Sequence, residues 1–243
     1  MIINKTVLIT GGSNGIGKAT VELFLKNKNQ VIVIDKKPLK KKHKNLYFYK
    51  SDLEKTNLIK PVIKKIFTKI KKIDILILNA AICPFKEFLK IDEKIFDKVV
   101  NTNQKGVFFL AQEISKIMIK KKTKGKIVFL SSISSIFGGS LQAHYCATKG
   151  AINQIMKSMA ISLGKYNINV NAVLPGTVIT NLNKKQLNKD HKLKKYFIKR
   201  TPLNRLVSPK EIANSVFFLS SEMSSGINGE CLIVDGGMSI NFQ

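Results

Sequence analysis

Seven short apolar runs punctuate the chain: T-V-L-I-T (6–10), Q-V-I-V-I-D (30–35), L-Y-F-Y-K-S (46–51), D-I-L-I-L-N (74–79), K-I-V-F-L-S (126–131), I-N-V-N-A-V-L (168–174) and C-L-I-V-D (231–235). Helix-like segments lie between them near 15–27, 57–71, 93–120, 147–164 and 209–220. Strands that are apolar along nearly their whole length are buried on both faces, and parallel pairing with helical crossovers achieves that burial. The alternation therefore predicts an α/β fold, a single doubly wound domain whose seven-stranded parallel sheet is flanked by helices. With 243 residues, 44% of them hydrophobic, the chain is long enough for one sizeable core. Neither a linker nor an internal repeat divides residues 1–243, so a single domain is expected.

The first run ends in T-G-G-S-N-G-I-G (10–17), and a helical pattern follows at once. Glycines at a strand-to-helix turn let the backbone approach a pyrophosphate, which then meets the helix N-terminus. Gly11, Gly15 and Gly17 carry the spacing G-x-x-x-G-x-G. The second run ends at Asp35, where a carboxylate can accept hydrogen bonds from the hydroxyls of an adenosine ribose and repel a 2′-phosphate. Asn14 adds no positive charge for such a phosphate. NAD is therefore the expected cofactor, and Lys36 and Lys37 leave NADP use open.

Further along, S-S-I-S-S-I-F-G-G-S-L-Q-A-H-Y-C-A-T-K (131–149) places Tyr145 four residues before Lys149. On a helix that spacing puts both side chains on one face. A neighbouring ammonium favours phenolate, so Lys149 is expected to lower the pKa of Tyr145.

The charge balance is strongly basic, +27, but the lysines are spread over 36–44, 60–72, 116–126 and 184–199, in segments that read as solvent-facing. No specific nucleic-acid partner is expected from such a spread, since net charge speaks to solubility and non-specific association. Cys83, Cys146 and Cys231 are widely spaced and form no C-x-x-C pair, so neither a disulfide framework nor a metal site is expected. No apolar run approaches the roughly 18 residues of a membrane span. The opening M-I-I-N-K-T-V-L-I-T reads as a first strand and not as a secretory leader. Together these features lead to the expectation of a cytoplasmic protein with no membrane partner.

The ordered set T-G-G-S-N-G-I-G, S-D-L (51–53), L-N-A-A (78–81), N-T-N-Q-K-G (101–106), Ser132, Y-C-A-T-K, P-G-T-V-I-T (175–180) and V-D-G-G (234–237) resembles the short-chain dehydrogenase/reductase family over nearly the whole chain. The resemblance implies a Rossmann-like domain with a cofactor half at about 1–130 and a catalytic and substrate half at about 131–243. It implies a catalytic tetrad of Asn103, Ser132, Tyr145 and Lys149. Tyr145 would act as general base in oxidation, Lys149 would bind the nicotinamide ribose, and Ser132 would hold the substrate oxygen. Asn103 would fix a helix kink and support a water relay to Lys149. Cofactor contacts carry over to Gly11, Ser13, Asn14, Gly15, Ile16 and Gly17, then to Asp35, Asp52, Leu53, Asn79 and Ala80. Pro175, Gly176, Val178 and Thr180 complete them, with Tyr145 and Lys149. The common N-N-A-G of the family is L-N-A-A here, Leu78 and Ala81 standing for Asn and Gly, which implies a slightly altered loop.

A narrower set of segments resembles the L-rhamnose 1-dehydrogenases of bacteria: N-A-A-I-C-P-F (79–85), G-G-S-L-Q-A-H-Y, V-L-P-G-T-V-I-T-N-L-N-K and the terminal V-D-G-G-M-S-I-N-F-Q. That likeness implies oxidation of the C1 hydroxyl of a deoxy-aldose to its lactone, with a substrate pocket of Ser132, Ser134, Gln142, Tyr145, Thr177 and Asn183. His144 belongs to the same polar inventory, and Pro84 and Phe85 are placed to face the sugar's methyl group. Reduction of a 3-oxoacyl thioester is the alternative, disfavoured by Asp35; a catalytically silent dinucleotide sensor is disfavoured by the intact tetrad. The segment 181–203, rich in Lys and Asn, reads as a mobile lid. Related proteins imply a homotetramer, with which the apolar faces of 93–118 and 147–163 are compatible.

Overall fold

The structure, a computed structural model, describes residues 2–40 and 42–241. Phe242 and Gln243, which close the terminal motif, lie outside the described residues. Seven parallel strands form one sheet in the order β3-β2-β1-β4-β5-β6-β7. They are β1 (Thr6–Thr10), β2 (Gln30–Asp35), β3 (Leu46–Lys50), β4 (Ile75–Leu78), β5 (Lys126–Leu130), β6 (Asn169–Pro175) and β7 (Cys231–Val234). Each coincides with an apolar run of the sequence to within a residue at either end.

Side chains alternate across the strands, and both sets are buried. Leu8, Ile32, Leu76, Ile127 and Phe129 face one core. That core is closed by helices α2 (Ile59–Phe67), α4 (Gly106–Lys120) and α5 (Ala143–Gly164). Val7, Ile9, Val31, Val33, Ile77 and Val128 face a second core, covered by α1 (Gly15–Lys26) and α8 (Pro209–Leu219). Two buried faces explain why the strands lack polar alternation. Helix α8 starts sharply because Ser208 and Glu211 form a reciprocal capping box with Pro209 at the first helical position.

The run 93–120 carries the kink implied at Asn103: α3 (Glu93–Val100) passes through a π-helical turn at Asn101–Lys105 before α4 resumes. Two helix expectations need correction. Helix α5 starts at Ala143, not 147, which brings Tyr145 onto its first turn. The helix expected over 57–71 ends early: a 3-10 turn at Thr56–Leu58 leads into α2, which stops at Phe67. The stretch 181–203 contains two helices, α6 (Lys184–Lys189) and α7 (His191–Arg200). Among the described residues no helix is long and apolar enough to cross a membrane.

The chain runs outward from β1 through β2 to β3, then returns to place β4 on the other side of β1. At this reversal the loops leaving β1 and β4 diverge and open a crevice beyond the carboxyl ends of the strands. Every feature of the site described next hangs on that crevice.

Candidate active site

A cleft of about 330 Å³ lies at the reversal. The loop after β1 supplies Gly11, Asn14, Gly15 and Ile16 to its lining, and the end of β2 supplies Asp35. Asp52 and Leu53 follow β3, and Asn79 and Ala80 follow β4. From the second half of the chain come Tyr145, Lys149, Pro175 and Thr180. The structure thus brings 13 of the residues singled out from the sequence to one lining.

The glycine loop is held open by its own geometry. Gly15 has φ +54, and a Cβ on Gly17 would overlap the Gly11 carbonyl oxygen. Neither position admits a side chain without moving backbone. Gly17 accordingly serves the packing of α1 against the strand-end loop and does not itself line the cleft. Asn79 ties the loop down: its Nδ2 donates to the Thr10 carbonyl at 3.0 Å and to the Gly11 carbonyl at 2.9 Å. The backbone N–H groups of Asn79 and Ala80 both donate to Thr10 Oγ1, each at 3.0 Å. Thr10 therefore ties the loops after β1 and β4 together, a place that the sequence did not give it although it opens the glycine motif.

Asp35 accepts from the Ser13 backbone N–H at 3.0 Å and the Lys37 backbone N–H at 2.9 Å. Ser13 Oγ donates to the Lys37 carbonyl at 2.7 Å. Ser13 does not line the cleft; it joins the glycine loop to the end of β2 and so holds the carboxylate in place. Lys36 and Lys37 line the same end of the cleft, and Lys36 Nζ stands 3.8 Å from Asp52 Oδ2. Ser51 and Thr102, also in the lining, are buried and their hydroxyls have no hydrogen-bond partner. Unpaired buried hydroxyls are costly. Together with the tight turn at Gly11 and Gly15, they fit a bound dinucleotide that would supply the missing partners. Among sequence signals, only adjacency to Asp52 and Asn103 pointed to these two residues.

At the inner end stand the tetrad residues. Tyr145 and Lys149 are nearly fully buried, with Lys149 Nζ 5.5 Å from the centre of the Tyr145 ring. The ammonium donates to the Leu130 carbonyl at 2.6 Å. Burial pulls Lys149 down to about 8 and pushes Tyr145 well above the usual phenol range; a hydrogen bond with Ser132 acts in the opposite direction on Tyr145. The expected lowering of the phenol by its lysine neighbour is therefore overturned in this structure. Desolvation penalises both charged forms, and Lys149 is directed to a backbone carbonyl.

Asn103 is buried in the π-helical turn. Its Oδ1 accepts from the Ile82 N–H and its Nδ2 donates to the Ile82 carbonyl, both at 2.8 Å, and Nδ2 also reaches Thr148 Oγ1 at 3.3 Å. The kink lets one side chain clamp the loop after β4 to helix α5. Its hydrogen bonds within the protein go to Ile82 and Thr148.

Of the residues assigned to a substrate pocket, Tyr145 lines the dinucleotide cleft; the others lie outside it and divide into two groups. Ser132, Ser134 and Gln142 form one chain: the Ser134 N–H donates to Ser132 Oγ at 3.1 Å, and Gln142 Nε2 donates to Ser134 Oγ at 3.0 Å. Asn183 and Thr177 are engaged elsewhere. Asn183 accepts from the Thr180 N–H at 3.0 Å and donates to the Val178 carbonyl at 3.0 Å, bracing a turn. Thr177 Oγ1 lies 3.8 Å from Met238 Sδ. Val178 packs in the second core and Gly176 against Asp235, so both shape the turn without lining the cleft. His144 is enclosed, with neither ring nitrogen partnered. Pro84 and Phe85 are half-buried on the loop that Asn103 clamps. From the segment read as a lid, Asn181 and Leu182 line the cleft, and Asn181 Nδ2 donates to Asn14 Oδ1 at 3.0 Å across its mouth.

This arrangement of glycine loop, buried tyrosine and lysine, and kink-borne asparagine is accompanied by likeness over the whole length. Residues 11–239 match the family model described as enoyl-(acyl carrier protein) reductase. The chain belongs to the short-chain dehydrogenase/reductase family. Among its relatives, the L-rhamnose-1-dehydrogenase of Scheffersomyces stipitis is 36% identical over 100% of this chain and 99% of its own. The L-rhamnose 1-dehydrogenase (NAD(P)(+)) of a Sphingomonas species is 34% identical over 100% and 99%. A solved short-chain dehydrogenase from Leptospira borgpetersenii with bound NAD+ superposes with a TM-score of 0.91 at 29% identity, covering 98% of this chain and 94% of that one.

Proposed function

We propose that the protein is an NAD-dependent sugar dehydrogenase that oxidises L-rhamnose, or a close 6-deoxy or C2-epimeric aldose, at C1 to the lactone. The observation that carries this reading is the polar chain Ser132–Ser134–Gln142 beside Tyr145, a set of hydroxyl and amide groups suited to a polyol and ill-suited to an acyl tail. The full-length similarity to two L-rhamnose dehydrogenases supports it.

In this reading the cleft would hold a nicotinamide dinucleotide, which would supply the hydride acceptor. Asp35 receives the adenosine ribose, and the N-terminus of α1 with the glycine loop receives the pyrophosphate. Tyr145, as its phenolate, would take the proton of the C1 hydroxyl while the hydride of C1 would pass to the nicotinamide; the ring is already closed, so the product is the lactone. Ser132 holds the substrate oxygen and favours the phenolate of Tyr145. Lys149 keeps a positive charge near the ring and holds the nicotinamide ribose. Asn103 acts by fixing the loop and helix that carry these groups.

Assay of purified protein against a panel of aldoses with NAD and NADP, followed by the near-ultraviolet absorbance of the reduced nicotinamide, tests the reading. L-Rhamnose or a near relative is expected to give the highest kcat/KM, with NAD preferred. Efficient reduction of a 3-oxoacyl thioester with no aldose oxidation above background would replace this reading with the thioester one.

We also read the chain as a cytoplasmic homotetramer. The support is the exposed apolar surface of α3, α4 and α5, where Phe96, Phe108, Phe109 and Ile161 are 44%, 37%, 40% and 84% exposed, and the three free cysteines. Light scattering after size exclusion tests the assembly.

A further inference from the structure

Cys83, on the loop after β4, is buried beside the tyrosine and plays no part in the chemistry above. Its thiol donates to Gln142 Oε1 at 3.8 Å, while the other end of the same amide donates from Nε2 to Ser134 Oγ at 3.0 Å. Gln142 immediately precedes α5, three residues before Tyr145, and Ser134 follows Ser132 by two. The chain Cys83–Gln142–Ser134 therefore links the loop after β4 to both ends of the reacting centre.

The direction of this chain matters. A glutamine amide can be turned over, exchanging its donor and acceptor ends. Turned over, Oε1 would face Ser134, whose hydroxyl would then have to donate to it. With Oε1 held toward the thiol, Ser134 Oγ accepts and its own O–H remains to donate. Gln142 also keeps a second N–H. Burial pushes the Cys83 thiol up to about 12, so it stays protonated, as a donor, throughout the neutral range. A thiol is a weak donor, but here it has only to choose between two orientations of one amide.

We propose that Cys83 is a positioning residue for sugar recognition: its S–H sets the orientation of the Gln142 amide and thereby makes Ser134 and Gln142 donors to the ring hydroxyl oxygens of the substrate. The proposal rests on the sugar reading of the site and adds to it which hydrogen-bond polarity the pocket presents. Two consequences follow. Removing the donor frees the amide to turn over, which weakens sugar binding without touching the proton-transfer groups. Replacing sulfur by oxygen keeps a donor of shorter reach, because a C–O bond is shorter than a C–S bond, and so preserves the polarity in part.

The test compares Cys83→Ala, Cys83→Val and Cys83→Ser in the full chain. Steady-state kinetics with L-rhamnose and with sugars differing from it in one hydroxyl are measured, and NAD binding is titrated separately as a check on folding. Cys83→Ala should raise KM for the sugar about tenfold, leave kcat within about threefold and NAD affinity unchanged, and lower the preference for L-rhamnose over its epimers. Cys83→Ser keeps a donor of shorter reach and should give a KM between those of the parent and Cys83→Ala. Cys83→Val fills the thiol's volume without a donor and should behave as Cys83→Ala. The proposal is overturned if Cys83→Ala or Cys83→Val binds NAD and keeps the parent KM. It is equally overturned if Cys83→Ser is as impaired as Cys83→Ala, or if both donor-free variants lose NAD binding, because the thiol then acts through volume or folding. A parent protein that oxidises no aldose overturns the sugar reading itself, an outcome distinct from the others because it appears before any substitution.

Discussion

Replacing Lys149 by Met separates the cost of a buried charge from the chemistry that uses it. Lys149 is 4% exposed, has the Leu130 carbonyl as its hydrogen-bond partner at 2.6 Å, and titrates at about 8 where a free lysine titrates at 10.5. The unfolded chain therefore binds more protons than the folded one between those two values, and folding stability contributed by this residue rises with pH across that window. Below about 8 both states are protonated and a constant penalty of about 3 kcal/mol remains, from a shift of roughly two and a half units at 1.36 kcal/mol each. Between pH 8 and pH 10 about 2 kcal/mol of that penalty is recovered. Methionine fills a similar volume and carries no charge, so Lys149→Met has no such slope. Urea unfolding of the parent and the variant, without cofactor and at one protein concentration, gives the difference in stability at each pH; subtraction removes the titration of the exposed lysines. The stability of the variant relative to the parent should fall by about 2 kcal/mol on going from pH 8 to pH 10. A difference that stays flat with pH would refute the argument, because it would mean that Lys149 is not held below its ordinary value by burial.

Tyr145→Phe keeps the buried ring and removes the hydroxyl, so turnover should fall by more than tenfold while NAD binding stays nearly intact; steady-state rates beside a cofactor titration check it, and retention of more than a tenth of the rate would remove Tyr145 from its assigned role. Asp35→Ala should narrow the preference for NAD over NADP by about 1–3 kcal/mol, since it removes both the ribose acceptor and the charge that repels a 2′-phosphate. The ratio of kcat/KM for the two cofactors reads this directly, and an unchanged ratio would mean that the carboxylate serves only the Ser13 and Lys37 backbone groups it accepts from.

The strands were legible in the sequence because each is apolar on both faces, and a run such as T-V-L-I-T has few other ways to be buried. The glycine loop was legible for a similar reason: Gly15 and Gly17 occupy positions where a side chain is excluded by φ or by contact, and such constraints leave glycine in the sequence. The start of α5 was not legible. Q-A-H-Y-C has no side-chain cap, and what holds it is the Cys146 N–H donating to the Gln142 carbonyl at 2.8 Å and the Lys86 N–H donating to the Leu141 carbonyl at 2.8 Å, the second a contact across the fold.

Residue types and spacing by themselves determined that a tyrosine and a lysine would share a helix face near a glycine-rich turn, because helical periodicity and backbone sterics act over a few residues. The titration of that pair was decided only in three dimensions. Burial raises Tyr145 and lowers Lys149 together, and desolvation is set by everything packed around a group and not by its neighbours in the chain. The same holds for Asn103: the resemblance implied a kink there, but its partners, Ile82 and Thr148, are supplied by other parts of the fold. It holds too for Asn183, drawn by tertiary geometry into bracing a turn, and for Cys83, which meets Gln142 only because the loop after β4 closes against the start of α5.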